Sequence, residues 1–219
     1  MFTKSLFTVC CIAVCYMLKA QPVSINSPDS NISKKATEAF AISFRNADSA
    51  LQLSFEALRQ AKEIKSLSAE ANASNSIGWA YHHKGNFDSA LVYLTSAHSL
   101  FLQEDSKEDV ASVCLNLAEV YTKQNQLASA IGYLLQADSL SKRITMLTDI
   151  KRQLAIVYRE AGDLPLSASY FKQAMDGFST QQDYFRYVNT GVRLSILFRK
   201  MKLPDIILAI FNRCLFIAK

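Results

Sequence analysis

The chain has 219 residues, of which 50% are hydrophobic and 20% are charged, and its formal net charge is +5. Lys4 and Lys19 lie in a segment that we expect to be removed, and without these two lysines the charge is +3. A chain this close to neutral gives no bulk electrostatic argument for binding nucleic acid. Its length allows one sizeable hydrophobic core.

The first twenty residues predict a secretory signal peptide. Lys4 is followed by thirteen uncharged residues, Leu6–Leu18, and the small residue Ala20 closes the segment. The apolar run is shorter than the roughly 20 residues that a membrane span needs. We therefore expect cleavage after Ala20 (residues 1–20) and export to the periplasm or the medium. The alternative is a signal that stays uncleaved and anchors the chain.

The segment after the signal, residues 21–33, is polar and contains two prolines, which predicts a flexible leader. Residues 34–219 form the predicted repeat domain. Only Cys114 and Cys214 remain after cleavage, and both stand in helical patterns 100 residues apart. This spacing provides no disulfide framework, and we expect both side chains to be buried as small apolar groups.

One spaced pattern recurs three times in the middle of the chain. Each copy has a small residue, an aromatic residue, Gly or Asn, a small residue, a large apolar residue and Ala at matching intervals. The copies are Gly78, Tyr81, Gly85, Ala90, Leu94, Ala97; Ala118, Tyr121, Asn125, Ala130, Leu134, Ala137; and Ala155, Tyr158, Gly162, Ser167, Phe171, Ala174. Apolar residues spaced by three and four indicate helices, and a repeat of 40 and then 37 residues indicates a helical solenoid.

Each copy divides into two helices at its Gly or Asn, which can adopt the left-handed conformation that closes a helix. These turn residues are Gly85, Asn125 and Gly162. Asn86 or Asp88, and Asp163, are placed to cap the helix that follows. Pro165 and Pro204 fall in the first turn of a second helix, where the missing N–H costs little. The small residues allow two helices to approach closely.

This pattern resembles the tetratricopeptide repeat family, whose signature has a small residue, an aromatic residue three positions later and an alanine after the turn. The resemblance is strong over 71–104, 111–144 and 148–181 and weaker over 34–66 and 188–219. It implies an all-α fold, a right-handed α-α superhelix (solenoid) of about four to five helical hairpins. It also implies a non-catalytic scaffold that binds a protein or peptide partner in its concave groove.

The sequence departs from the family pattern in two respects. The tryptophan that many copies carry early in the first helix is replaced by Ser74, Cys114 and Lys151, and the period exceeds 34 residues. Long repeats with phrases like residues 105–111 are similar to the sensory halves of exported bacterial regulators. The alternative function is therefore the sensory input region of a histidine kinase or DNA-binding regulator whose output module is missing or separate.

Residues off the packing pattern of the first helices are the candidates for the concave surface. They are Asn75, Trp79, His82, His83, Asn116, Glu119, Thr122, Lys123, Arg152, Arg159, Glu160, Arg193, Arg199 and Lys200. Their charge becomes more basic toward the C-terminal end. One hypothesis is that this end binds an acidic or carboxylate-terminated segment through charge-assisted contacts. The competing interpretation is a solvated charged face.

The tryptophan and histidines invite a separate interpretation. Trp79 follows Gly78 and can serve as a partly exposed binding anchor, or it can pack on the neighbouring repeat. His82 and His83 are adjacent, so they point about 100° apart on a helix and are poorly placed to chelate one metal ion. The chain contains no metal-protease motif, no Cys-x-x-Cys and no Gly-rich phosphate loop. We therefore expect no enzyme activity, cofactor or metal.

The last segment, Ile206–Ala218, is apolar on nearly every face, and a terminal repeat normally needs a polar outer face. This composition predicts that something covers it. The candidates are the continuation of a longer regulator, of which this chain is a truncated version, or self-association through this helix. A membrane span is disfavoured because Asn212 and Arg213 interrupt the apolar run.

Overall fold

The computed structural model describes residues 28–203 together with Ile206, Ile210 and Asn212. Residues 28–203 form nine α-helices, and this part of the chain contains no β-strand. The helices are α1 Pro28–Ile42, α2 Ala47–Glu63, α3 Leu67–His83, α4 Phe87–Gln103, α5 Lys107–Lys123, α6 Leu127–Leu140, α7 Ile144–Glu160, α8 Leu164–Thr180 and α9 Tyr184–Lys200.

Consecutive helices pack as hairpins, because the connections between them are too short for anything but an antiparallel neighbour. Four hairpins are complete, and α9 is the first helix of a fifth. The first helix of each of the first three hairpins also contacts the first helix of the next, as α1 contacts α3. Arg186 on α9 forms an ion pair with Asp149 on α7. Contacts of this extent between second helices are not found in the described chain. The first helices therefore line the inner face of a curved helical-repeat superhelix.

The turns between helices follow one rule. The middle residue of most turns has a positive φ, as predicted for Gly85, Asn125 and Gly162. The same conformation occurs at residues that the sequence pattern did not single out: Lys65, Asp105 and Gln182. The residue after the positive-φ residue stands at the start of the next helix. Asn86 accepts a hydrogen bond from the Ser89 backbone N–H, and Asp163 accepts one from the Leu166 N–H. The cap is thus Asn86 rather than Asp88.

The predicted pattern residues pack as expected. The small residues Ala90, Ala130 and Ala155 are fully buried, as are the large residues Leu94 and Phe171. Each pattern tyrosine stacks on a second tyrosine twelve positions later in the same hairpin. The pairs are Tyr81–Tyr93 at 5.8 Å, Tyr121–Tyr133 at 5.5 Å and Tyr158–Tyr170 at 5.6 Å between ring centroids. Offset stacking of this kind stabilises each hairpin beyond the area that it buries.

Several helices begin earlier than the approximate bounds drawn from the sequence pattern. Helix α1 begins at Pro28, so the flexible leader does not extend to residue 33, and Ile32 is already buried. The hairpins begin at residues 67, 107 and 144 rather than at 71, 111 and 148, and α9 begins at 184 rather than 188. The sequence pattern starts later because the first turn of each helix carries no signature residue. Ser66 and Ser106 stand at the starts of two of these helices.

Some predictions fall outside the described residues. These are the signal peptide (residues 1–20), Pro204, Cys214 and all but three residues of the apolar segment Ile206–Ala218. Within the described chain no helix combines the length and the apolar character needed to cross a membrane. Cys114 is buried as predicted, and burial raises the pKa of its thiol to about 12.

The junction between α6 and α7 differs from the other turns. Ser141 is extended, and Glu108 at the start of α5 holds the segment in place. Its carboxylate accepts hydrogen bonds from the Lys142 backbone N–H at 2.6 Å and from Ser141 Oγ at 2.8 Å. Arg143 Nε lies 3.4 Å from the same group. The Lys142 N–H is the main cause that holds the pKa of Glu108 below its usual range.

We expect Glu108→Gln to lower the melting temperature at neutral pH, because an amide oxygen accepts the Lys142 N–H less strongly than a carboxylate does. The lowered pKa means that Glu108 contributes stability above the usual carboxyl pKa, and that this contribution is lost as pH falls through the folded-state pKa. The gap between variant and wild type should therefore close in acid. Glu38→Gln, at an exposed carboxyl on α1, is the control. If Glu108→Gln lowers the melting temperature equally at neutral and at acidic pH, this role of Glu108 is contradicted.

Candidate functional site

An open pocket of about 470 Å³ lies on the inner face toward the C-terminal end of the array. We call it the inner-face pocket. Its lining comes from α5, α7 and α9, the first helices of three successive hairpins, and from the turn after α5. The lining residues are Glu119, Thr122, Lys123, Asn125, Arg152, Gln153, Ile156, Arg159, Glu160 and Arg193. The structure thus brings together five predicted partner-binding residues: Glu119, Lys123, Arg152, Arg159 and Arg193.

The pocket contains four cationic and two anionic side chains. Arg159 Nη2 lies 2.6 Å from Glu160 Oε1, and Arg152 Nε lies 3.6 Å from Asp149 Oδ1. Lys123 and Arg193 form no ion pair with any residue of the described chain. Positive charge in the pocket is therefore left without a matching carboxylate.

Glu119 is the carboxylate at the α3 side of the pocket. Its Oε2 accepts a hydrogen bond from Gln153 Nε2 at 3.4 Å, and its Oε1 lies 3.9 Å from His82 Nε2. Burial raises the pKa of Glu119, and the positive charges of Arg152 and Lys123 oppose this rise. Glu119 thus balances part of the positive charge of the pocket.

His82 was predicted as a groove residue, but its side chain is buried, with 6% of its surface exposed. Neither ring nitrogen forms a hydrogen bond with a described residue. Burial, followed by the charges of His83 and Lys123, lowers the pKa of His82 to about 4. The imidazole is therefore neutral near pH 7. Sequence periodicity placed His82 on the inner side without indicating that its neighbours cover it.

Trp79 is half-buried and packs against three rings. Its indole is parallel to the ring of Phe40 at 5.5 Å and to the ring of His82 at 4.7 Å between centroids. Phe40 belongs to α1 and His82 to the same helix as Trp79, so the indole joins the first two hairpins. The edge of the His83 ring meets Trp79 at 4.8 Å. The indole therefore packs on the neighbouring repeat, as one interpretation expected, and part of its surface stays exposed.

The remaining predicted residues lie outside the inner-face pocket. Asn75 Oδ1 accepts a hydrogen bond from Asn116 Nδ2 at 2.9 Å, which joins α3 to α5. Asn75 also lines a second, smaller pocket of about 160 Å³ between α1, α3 and α5. Arg199 is exposed near the end of α9 and does not line either pocket. Of the ten predicted residues, five line the inner-face pocket and Asn75 lines the smaller one. Trp79, His82 and His83 form a cluster of rings on α3, and Arg199 lies outside both pockets.

Gln153 and Ile156 also line the pocket and were not among the predicted residues. Ile156 follows from the helical spacing of Arg152 and Arg159, and Gln153 lies three residues before Ile156 on the same side of α7. Within the described residues no three His, Cys, Asp or Glu side chains gather as a metal site would require. The pocket is thus suited to charge and hydrogen-bond recognition.

Comparisons with known proteins agree with this fold. A family model described as Tetratricopeptide repeat matches residues 113–143, which lie within the second complete pattern copy. A comparison with curated proteins gives no match. The resemblance found from the sequence is confirmed by this match and by the solved structures below.

Three solved structures illustrate the likeness. BtubC (BKLC) from P. vanneervenii has a TM-score of 0.71 at 17% identity, over 90% of this chain and 92% of its own. A Rap protein complexed with competence and sporulation factor has a TM-score of 0.71 at 14% identity, over 93% of this chain and 57% of its own. A signal transduction ATPase with a tetratricopeptide repeat sensor, from Pyrococcus horikoshii, has a TM-score of 0.66 at 16% identity, over 84% and 29% respectively. At such identities the likeness establishes the all-α repeat fold.

Proposed function

We propose that this tetratricopeptide-repeat array is a protein-interaction scaffold that holds an acidic segment of a partner protein in its inner-face pocket. The observation that carries the proposal is the convergence of Lys123, Arg152, Arg159 and Arg193 from three hairpins onto one open pocket. A solvated charged face would not need to gather cations from helices that are distant in sequence. The predicted signal peptide supports a partner in the periplasm or outside the cell.

The chemistry of the pocket favours carboxylates over other groups. Arginine donates paired N–H groups to a carboxylate, and such charge-assisted hydrogen bonds are stronger than neutral ones. The side-chain Nε of Arg193 donates to Asn189 Oδ1 at 3.1 Å, which orients the guanidinium and leaves its terminal nitrogens for a ligand. Because the pocket is open along the inner face, it suits a segment that continues in both directions.

A direct test uses a labelled peptide of alternating Glu and Ser residues as the probe and the matching Lys and Ser peptide as its opposite-charge control. We expect the double substitution Lys123→Glu and Arg193→Glu to weaken binding of the acidic peptide by about tenfold or more. Fluorescence anisotropy at two salt concentrations measures the loss, and the wild-type affinity should fall as salt rises.

The matched control is the double substitution Lys34→Glu and Arg45→Glu, which makes the same change of charge at two exposed positions outside the pocket. It should leave affinity for the acidic peptide almost unchanged. If wild-type protein does not bind the acidic peptide, or if the control weakens binding as much as the pocket double variant, the acidic-segment proposal fails.

A second proposal is that the array is the sensory input region of a signal-transduction regulator. The support is the likeness in fold to the ATPase that carries a tetratricopeptide repeat sensor, of whose length this chain spans 29%. Both proposals use the same pocket. They differ in whether binding alters the activity of a separate output protein, which reconstitution with a co-encoded kinase or DNA-binding protein would measure.

A further inference from the structure

We propose that Glu119 competes with an incoming acidic segment for the cations of the inner-face pocket, and that Glu119 and His82 together take up one proton when the segment binds. This inference rests on the proposed function, and it makes binding tighter in mild acid. Nothing in the repeat pattern itself requires a carboxylate at this place.

The competition follows from where Glu119 lies. The groups around its carboxylate are His82 and His83 on α3, Lys123 on its own helix, Arg152, Arg159 and Glu160 on α7, and Arg193 on α9. Glu119 is thus an internal anion on the wall of a basic pocket. A ligand carboxylate that reaches Lys123 or Arg152 must share these cations with Glu119, and two carboxylates on one site repel each other.

His82 provides an alternative hydrogen-bond partner for the Glu119 carboxylate. Its Nε2 is 3.9 Å from Glu119 Oε1, and both ring nitrogens lack a hydrogen-bond partner in the described chain. A movement of about 1 Å brings this pair to hydrogen-bonding distance. A buried polar group without a partner is costly, so the bond would stabilise the bound state. A neutral imidazole with its hydrogen on Nε2 can donate this bond to the carboxylate. One proton taken from solvent then neutralises the pair, either on the carboxyl group or on the imidazole.

The proton is taken up because binding changes the charges that Glu119 feels. In the free protein, Arg152 and Lys123 favour its ionised form against the effect of burial. A bound anionic segment neutralises these cations and adds negative charge of its own. Both changes disfavour ionised Glu119, and both favour protonated His82. Linkage then requires that a fall in pH strengthens binding.

The test compares wild type with Glu119→Gln, which preserves shape and removes the charge. The probe is the acidic peptide with cysteic acid in place of Glu, because its sulfonates stay ionised throughout and only the protein titrates. We expect wild-type affinity to rise by roughly three- to tenfold from about pH 7.5 to about pH 5.5. Glu119→Gln should bind more tightly than wild type at the higher pH and change little with pH.

The matched control is Glu160→Gln, which removes a carboxylate from the same pocket but one paired with Arg159 rather than placed beside His82. It should retain the pH dependence. Titration calorimetry in two buffers of different ionisation enthalpy gives the proton uptake of wild type directly, so the inference stays testable even if Glu119→Gln folds poorly.

The outcomes separate the two proposals. Failure of wild type to bind either acidic peptide overturns the proposed function and this inference together. Binding of the probe that is independent of pH and unaffected by Glu119→Gln, with no proton uptake, leaves the proposed function standing and overturns the role of Glu119 and His82.

Discussion

Gly78→Ala is expected to lower the free energy of unfolding by about 1–3 kcal/mol, and Gly78→Leu by more. A Cβ atom at residue 78 would lie 2.6 Å from Leu94 Cγ and 3.0 Å from the backbone oxygen of Ala90. Leu94 is fully buried and cannot move away without disturbing the core. The methyl group would therefore push α3 and α4 apart at their crossing.

The matched control, Gly132→Ala, is expected to change the free energy of unfolding in the opposite direction. Gly132 is an exposed residue inside α6, and a Cβ there would meet nothing within 4 Å. Gly132→Ala is thus expected to stabilise the protein by about 0.5–1 kcal/mol, because glycine in a helix loses more backbone entropy than alanine. Urea unfolding monitored by circular dichroism measures both changes. Equal effects of the two substitutions would contradict the close crossing at Gly78.

Acidification from about pH 7 to about pH 4.5 is expected to remove about 2–3 kcal/mol of folding free energy through His82, out of about 3.5 kcal/mol for the full shift of its pKa. Its pKa falls from 6.5, the ordinary value for a histidine, to about 4 in the folded protein, and each pKa unit corresponds to about 1.4 kcal/mol. Because the folded-state pKa is depressed, this stability is present above the pKa of the unfolded chain, near 6.5. It is lost as pH falls from there to the folded-state pKa of about 4.

His82→Phe should remove this part of the pH dependence, because phenylalanine can stack on Trp79 and does not titrate. The measurement is urea unfolding at about pH 7 and about pH 4.5 for both proteins. The comparison between them isolates His82 from Glu119, whose raised pKa contributes in the opposite direction. His98→Gln, at a histidine on α4, is the control and should retain most of the loss. An unchanged loss in His82→Phe would place the acid sensitivity elsewhere.

The repeat architecture was readable from the sequence because its constraints are local. Tyr81, Tyr121 and Tyr158 mark the first helix of each hairpin, and Gly85 and Gly162 mark its end. Their spacing reflects the packing of one helix on the next, which periodicity reports directly. The partner tyrosines twelve positions later could have been found by the same spacing, since they recur with equal regularity in the sequence.

The contacts of Trp79 could not be predicted from the spacing of residues. Phe40 covers one face of the indole, and it belongs to a helix that departs from the repeat pattern. The burial of His82 likewise depends on contacts between hairpins. The positive φ at Lys65 and Gln182 was missed for a related reason. Tertiary packing imposes the turn there on residues that do not favour it.

Part of the inner-face pocket could be predicted from the sequence. Lys123, Arg152 and Arg193 were found because a helical repeat returns each first helix to the same side of the array. Their convergence on a pocket depends on the angle between successive hairpins, which side-chain volume sets and spacing does not. The spacing of the sequence could therefore not predict that Glu119 lies among these cations.

The stacking of Trp79 has an optical consequence. The chain has a single tryptophan, and its indole contacts Phe40 of the first hairpin and His82 of the second. Its emission therefore reports on one end of the array, whereas the stacked tyrosine pairs are spread over three hairpins. In a repeat protein each hairpin contacts only its neighbours, so the two ends can open separately. Tryptophan and tyrosine fluorescence together would show whether this array unfolds from one end or all at once.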